Sequence, residues 1–306
     1  MSLEVINKPI FTTIQDMGRF SYAHIGVSAS GVMDEYAYLY VNKILSNKFD
    51  TNALEISFSN IIFKVHNSTQ IAITGAKCEF YINDMLYDTW QSYNIKNGDI
   101  IKVGKILEGS KVYLAVTNGF DIKKEFGSNS TTIKEKIGGI NGDKLQKGDF
   151  LPFIPSTSLH KQRLQQKYIP EYSNTLTLRV ILCSQEDTFS KKEKEKFFST
   201  SYTITNDFNR MGCKLNGKKI TSTINGIISE GISFGSIQIP SDGQPIILLK
   251  ERQTIGGYPK IGTVLSIDCF KLSQMRPNST IRFKVIDIDT AQQKVKEFYT
   301  FFKDTL

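Results

Sequence analysis

Residues 228–262 read ISEGISFGSIQIPSDGQPIILLKERQTIGGYPKIG. Two short apolar runs, 236–239 and 245–249, flank Pro240-Ser241-Asp242-Gly243, the pattern of a strand, a tight turn and a returning strand. The second run leads into Lys250, Glu251, Arg252, Gln253 and Thr254, then Gly256-Gly257-Tyr258-Pro259-Lys260. A plain hairpin needs neither those charges nor the paired glycines. The glycines permit backbone at positive φ and the close approach of a ligand. Taken alone, the stretch reads as an elaborate surface turn, so the rest of the chain has to decide.

Working outward, the same strand grammar continues on both sides. Residues 176–182, 202–205, 224–229, 263–267 and 280–286 are short apolar or β-branched runs. Ser190 and Glu193 make a capping box for a short charged helix ending near Phe198. Thr290 and Gln293 are a second candidate cap, ahead of Val295, Phe298, Tyr299 and Phe302 on one helical face. Further upstream, 60–65, 70–74, 100–103 and 111–116 read as strands, with Asn83-Asp84 and Asn97-Gly98 as turns. Asp34 opens an amphipathic helix through Tyr36, Ala37, Tyr40, Val41, Ile44 and Leu45. The fold class is therefore mainly β, in two halves, each with one or two helices. The expected division is a module over 1–155, a linker over 156–175 and a module over 176–306, with exchange of segments between modules left open. A faint echo links TIQDMGR at 13–19 with TITNDFNR at 203–210.

Composition excludes several classes of function. The chain has 306 residues, 40% hydrophobic, which is globular rather than disordered. The net charge is +8, but the lysines alternate with acids, as in KKEKEK at 191–196, and no basic stripe interleaves with aromatics. Nucleic acid is not an expected partner. Cys78, Cys183, Cys213 and Cys269 are far apart and form no C-x-x-C, so reduced buried thiols are expected and no metal site. No apolar run reaches the ~20 residues of a membrane span, and the N-terminus has no signal-peptide core. The expected location is cytoplasmic, away from membranes.

Candidate site residues fall in two zones. The first is a polar, glycine-rich segment with Asp16, Arg19, His24, Ser30, Gly31 and Asp34; His24 is a possible acid/base group or, equally, a structural hydrogen bonder. His66 and His160 read as surface residues. Glu55, inside ALEI at 53–56, reads as exposed by strand alternation rather than buried with a partner. The second zone supplies the cations Arg210, Arg252 and Lys260, suited to carboxylate or phosphate. Its Gln238 and Gln244 amides suit the amide of a urea-like or lactam substrate, though on these residues alone solvation at a strand edge is the simpler reading. Gly212 to Lys219 nearly spells a phosphate-binding loop but ends on Lys219 where Ser or Thr is required. Asn216-Gly217 reads instead as a hairpin turn.

Together the motifs resemble a known family. They are TTIQDMGR, Tyr22-x-His24-x-Gly26-Val27, Ser30-Gly31-x-Met33-Asp34, Ala53-Leu54-Glu55-Ile56, Thr74-Gly75-Ala76 and Gly127-Ser128. Later come Asn209-Arg210-Met211-Gly212, Ser229-Glu230-Gly231, Asp242-Gly243-Gln244-Pro245 and Arg252-Gln253-Thr254-x-Gly256-Gly257-Tyr258-Pro259-Lys260-Ile261-Gly262. The family is the KipA-like or allophanate hydrolase subunit 2 family, also called the biotin-dependent carboxyltransferase A/B-subdomain family, with members that serve as the C subunit of 5-oxoprolinase. The resemblance implies two cyclophilin-like β-barrel modules with a few peripheral helices. It implies two partner subunits, one KipI-like and one LamB/YcsF-like, and a small-molecule substrate, 5-oxoproline, opened to glutamate with ATP used by the complex. Two alternatives accompany it: a carboxyltransferase component acting on a urea-like substrate with carboxybiotin, and a regulatory binder of a KipI-like kinase inhibitor. Asn129 stands where many relatives carry Arg, and Ser28 where many carry Pro. On this reading Asp16, His24, Asp34, Arg252 and Lys260 are the catalytic candidates. Arg19, Ser30, Gly31, Arg210, Gln238, Asp242, Gln244, Gly256, Gly257 and Tyr258 bind substrate. The 228–262 stretch forms one wall of an anion- and amide-binding cleft, with 16–34 expected opposite.

Overall fold

The computed structural model describes residues 1–58, 60–156 and 161–303; His160 lies outside the described residues. The chain divides into two compact units: residues 1–20, 30–172 and the chain from 301 in one, 21–29 and 173–300 in the other.

The first unit contains β1 (Ser2–Val5), β2 (Phe11–Gln15), α1 (Glu35–Ile44), β3 (Ala53–Ser57), β4 (Ile61–Val65), β5 (Thr69–Ile82), β6 (Met85–Tyr87), β7 (Gln91–Ile95), β8 (Ile100–Val116) and β9 (Phe150–Pro152). They form one nine-stranded sheet ordered β2-β3-β8-β4-β1-β9, with β5 pairing β6, β7 and β8. Alternate residues point inward, so Leu3, Ile14, Leu54, Ile56, Phe63, Ile71, Phe80, Val103 and Leu114 make a fully buried core. The runs at 100–103 and 111–116 belong to one strand, because β5 follows β8 along its length through register shifts between Gly75 and Phe80. Gly75, at φ +91°, is required there, since a Cβ would sit 2.4 Å from the Lys111 carbonyl oxygen. Asn83 and Asp84, at φ 51° and 63°, close the β5–β6 hairpin as expected of a two-residue turn.

Asp34 caps α1, its carboxylate accepting from Ala37 N at 3.2 Å. Glu55 corrects the sequence expectation. It is buried, and its Oε2 accepts from the Tyr113 hydroxyl at 2.7 Å and from Met33 N at 2.8 Å. The same hydroxyl accepts from Asp34 N at 2.8 Å. A buried acid is tolerable when such donors satisfy it.

The second unit holds β10 (Thr175–Leu182), α2 (Lys191–Ser199), β11 (Tyr202–Phe208), β12 (Gly212–Asn216), β13 (Glu230–Gly231), β14 (Ser236–Gln238), β15 (Ile246–Leu248), β16 (Ile255–Gly256), β17 (Lys260–Val264), α3 (Ser266–Leu272) and β18 (Thr280–Val285); α4 (Ile288–Lys303) begins in it. Seven strands close a barrel, β10-β17-β14-β15-β12-β11-β18, sealed by the parallel β10–β18 pair. Leu178, Val180, Ile204, Cys213, Leu215, Ile237, Ile247, Ile261 and Ile281 are fully buried, the inward set of those strands. The mainly β expectation, with two barrel-type modules and few helices, holds.

Four local expectations differ. Residues 224–229 form no strand: Ile227 N–H donates to the Gly257 carbonyl at 2.8 Å but no ladder follows, and Ile228 is 95% exposed. Ser266 and Ile267 open α3 instead of extending β17. The last helix begins ahead of Thr290, whose N–H donates to the Asp287 carboxylate at 2.8 Å. Asn216-Gly217 is not a hairpin; the Gln244 amide holds Gly217 by both backbone groups, at 2.9 and 3.1 Å.

Candidate functional site

The opening stretch builds its hairpin as read. β14 and β15 pair Ile237 with Ile247 and Gln238 with Ile246, and the turn closes from Gly243 N to Pro240 O at 2.9 Å. Register then defines a surface. β12 continues the rows, setting Lys214 opposite Ile246 and Gly212 opposite Leu248, while Cys213, Ile247 and Ile237 face the barrel interior. On the outer face of these strands lies a cleft of about 300 Å³. Its floor is apolar, from Gly212, Ile246 and Leu248. One wall carries Asp207 from the end of β11 with Asn209 and Met211 from the β11–β12 connection; the other carries Arg252 and Gln253 from the loop after β15 and Tyr258 from the β16–β17 connection. Lys214 and Gln238 complete it, and every lining residue belongs to the second unit.

Arg252 is the distinctive group. Its Nε donates to the Ile232 carbonyl at 2.9 Å and its Nη1 to the Leu249 carbonyl at 3.2 Å, which fixes the guanidinium plane. Among the described residues no carboxylate lies within ion-pairing distance of it. Burial lowers its pKa, as expected for a cation short of solvent and of a counter-ion. Gln238 is buried except toward the cleft, and its amide is bonded to no other described residue.

Gly256 and Gly257 shape this wall without using the left-handed backbone open to them. Neither has a positive φ. Their need is close packing: a Cβ on Gly256 would lie 2.7 Å from Gln238 Nε2 and 2.5 Å from Ile232 Cδ1, and one on Gly257 3.1 Å from the Ile227 carbonyl.

The other expected residues of the stretch are engaged elsewhere. Lys260 is buried with its ammonium on Glu230, and its N–H donates to Gln185 Oε1 at 2.8 Å while Gln185 Nε2 donates to the same Glu230 at 2.6 Å. The bond from Lys260 holds the Glu230 carboxyl below its ordinary pKa. This network ties β13, and so the β13–β16 ribbon, to the barrel. Arg210 is buried against Glu251. Asp242 accepts from Lys214 Nζ at 2.8 Å and from Gln244 N at 3.0 Å, while Gln244 clamps Gly217. These four build the frame; Arg252, Gln238 and Tyr258 face the cleft.

The first zone forms a buried knot in the first unit. The Asp16 carboxylate accepts from Gly18 N, Ser128 Oγ, Asn129 N and Ser130 Oγ at 2.6–2.8 Å. Arg19 donates to Thr132 Oγ1 at 3.0 Å and to the Ser130 carbonyl. Ser30 Oγ donates to the Thr131 carbonyl at 3.0 Å, and Gly31, at φ +97°, leaves room for the Met17 carbonyl. Asp34 caps α1. Asn129, the departure noted above, takes part through its backbone on Asp16 and its amide on the Ile122 carbonyl at 2.6 Å. His24 is exposed on a short 3-10 turn in the second unit. None of these residues lines the cleft.

Sequence reasoning missed Asp207, Asn209, Met211, Lys214 and Gln253. Lys214 and Asn209 lay in motifs already singled out, but only the strand register sets them beside Gln238. Among the described residues no three His, Cys, Asp or Glu side chains cluster as a metal site, and no helix is long and apolar enough to cross a membrane. Residues 212–219 are a strand running into the clamped Gly217 turn, not a phosphate cradle.

Comparison with known proteins gives the family. The chain is 31% identical over 290 residues to the 5-oxoprolinase C subunit of Haemophilus influenzae, covering 94% of this chain and 93% of that protein. It is 30% identical over 314 residues to urea amidolyase of Saccharomyces cerevisiae, covering 95% of this chain and 17% of that protein. The structure of the K. lactis urea amidolyase superposes with a TM-score of 0.94 at 26% identity over 100% of this chain, which spans 20% of that one. Residues 25–285 match the carboxyltransferase domain family, subdomain A and B, and the chain belongs to that family.

Proposed function

We propose that this chain is the C subunit of a cytoplasmic, ATP-dependent 5-oxoprolinase. It acts as a hydrolase on a cyclic amide only together with KipI-like and LamB/YcsF-like subunits. The observation that carries the reading is the Arg252 guanidinium, fixed, poorly solvated and without a carboxylate partner in a small cleft. A cation so placed is costly unless an anion arrives from outside. 5-Oxoproline supplies one carboxylate on a flat lactam ring. Arg252 would take the carboxylate in a forked pair. The Gln238 amide would match the lactam carbonyl and N–H, and the Gly212–Leu248 floor would take the ring methylenes. Arg252 would also stabilise negative charge that builds on the lactam oxygen. The likeness to the Haemophilus influenzae protein over nearly the full length of both chains supports the same reading. ATP use belongs to the assembled complex, with no step assigned to this chain.

The test is reconstitution with the two neighbouring subunits, reading ATP-dependent glutamate release. Arg252→Ala should lower turnover at least 100-fold while the complex still assembles. A stable but inactive assembly sinks the reading and favours a regulatory binder. The superposition on urea amidolyase supports a second reading, carboxyl transfer from carboxybiotin to a urea-like acceptor. Carboxylation of urea by a biotinylated carrier, without glutamate release, would establish it instead.

A further inference from the structure

The cleft holds a second charged group that the lactam reading leaves unused. β11 and β12 pair Ile204 with Leu215 and Phe208 with Cys213, so residues 205–207 face the single residue Lys214. The Thr205 hydroxyl fastens this bulge, donating to the Lys214 carbonyl at 2.9 Å and accepting from Asp207 N at 3.2 Å. A bulge re-aims side chains, and this one brings Asp207 to the cleft wall. Asp207 is exposed, and among the described residues its carboxylate makes no ion pair. The nearby Lys214 is already held by Asp242 at 2.8 Å. The cleft therefore presents the cation Arg252, with no carboxylate in contact among the described residues, and the Asp207 carboxylate, which feels the Lys214 charge but makes no ion pair with it. Arg252 and Asp207 line the same cleft of about 300 Å³, so one small molecule can meet both charges.

We propose that the cleft binds a zwitterionic amino acid, its carboxylate at Arg252 and its ammonium at Asp207, and that Asp207 recognises the ammonium created by ring opening. This rests on the lactam-hydrolysis reading. In that reaction the ring C–N bond breaks, water's oxygen joins the carbonyl carbon as the new carboxylate, and both its hydrogens end on nitrogen, giving an ammonium. Only that product offers Asp207 a cation to contact within the ligand, so Asp207 discriminates the opened from the closed molecule.

The experiment is calorimetric titration of the intact chain with L-glutamate, N-acetyl-L-glutamate and 5-oxoproline, for the wild type, Asp207→Asn and Arg252→Gln. Asp207→Asn should weaken glutamate at least 10-fold and leave the two ligands lacking an ammonium unchanged; Arg252→Gln should weaken all three. Equal losses on Asp207→Asn, unchanged glutamate affinity, or no glutamate binding by the wild type would each overturn the proposal. Asp207-dependent glutamate binding by a chain whose assembly releases no glutamate from 5-oxoproline would remove the oxoprolinase reading while keeping the ligand class.

Discussion

Arg210 and Glu251 hold one another behind the cleft, 2.5 Å from Arg210 Nε to Glu251 Oε1, with side chains only 7% and 12% exposed. Backbone joins the same two residues, Glu251 N donating to the Arg210 carbonyl at 2.8 Å. The pair ties the β11–β12 turn to the loop that carries Arg252. Arg210→Met leaves a nearly buried carboxylate without its cation, expected to cost about 3–5 kcal/mol. The double variant Arg210→Met with Glu251→Leu should recover most of that loss. Denaturant unfolding of both proteins checks it, and equal destabilisation would show that the pair is not coupled.

Arg252 has the opposite balance. Desolvation opposes its charge and no carboxylate among the described residues offsets it, so its charge is expected to cost stability. Arg252→Gln keeps one donor for the Ile232 or Leu249 carbonyl and removes the charge. Its melting temperature should equal or exceed the wild type's, while anion binding falls at least 100-fold. A fall of several degrees in melting temperature would mean that Arg252 is structural.

Gly256 and Gly257 separate packing from backbone strain. Gly256→Ala forces the Gln238 amide or Ile232 to move, because the new methyl would lie within 2.7 Å of both. Activity should fall at least 10-fold through KM, with a stability loss of about 1–3 kcal/mol as for overpacking. Gly257→Ala, with 3.1 Å to the nearest atom, should be milder on both measures. Steady-state kinetics of the reconstituted complex beside thermal melts decide, and the reverse ranking would misplace Gln238.

The hairpin at 236–249, the helix after Asp34 and the capped helix after Ser190 were legible because their signals are local: alternation, a Pro-x-Asp-Gly turn, an acceptor at a helix start. Glu55 was not, because its donor Tyr113 is 58 residues away and no local pattern announces it. Nor was the fate of 224–229, since an apolar run becomes a strand only where an edge accepts it. The site divides the same way. Arg252, Gln238 and Tyr258 stood out as charge, amide and aromatic around a glycine-rich loop. Lys260, Arg210, Asp242 and Gln244 carry the same local signal yet are satisfied by Glu230, Glu251, Lys214 and Gly217, partners that only the fold assigns. Asp207 depends on a bulge, a register event invisible in composition.

Thiol reactivity offers a check independent of function. Burial pushes Cys78 up to about 12 and raises Cys213 and Cys269 further. Cys183 is half-buried, its S–H donating to the Lys260 carbonyl at 2.9 Å, and burial raises it despite nearby Lys260. Because the thiolate is the reactive form, alkylation of the native protein at pH 8 should be slow, with Cys183 modified first. Denatured chain should react at all four cysteines. Rapid native labelling of Cys213 would contradict the closed barrel.

The Lys214–Asp242 pair makes a signed prediction for pH. Asp242 is held below its ordinary 3.8, first by the Lys214 ammonium and then by the Gln244 N–H. A depressed carboxylate stabilises the fold above its unfolded pKa, and that stability is lost as pH falls through the folded value. Lys214 is raised by the same partner, so its share is present below the unfolded lysine pKa and lost as pH climbs through the folded one. The side chains are 35% and 44% exposed, so screening limits the pair to below about 1 kcal/mol. The stability difference between wild type and Asp242→Asn should therefore be flat from about pH 5 to 9 and shrink at both extremes and in high salt, over the screening length of a few Å at 1 M. Urea unfolding across pH in low and high salt measures it. A difference at pH 3 equal to that at pH 7 would mean that Asp242 acts through its Gln244 turn bond and not through its charge.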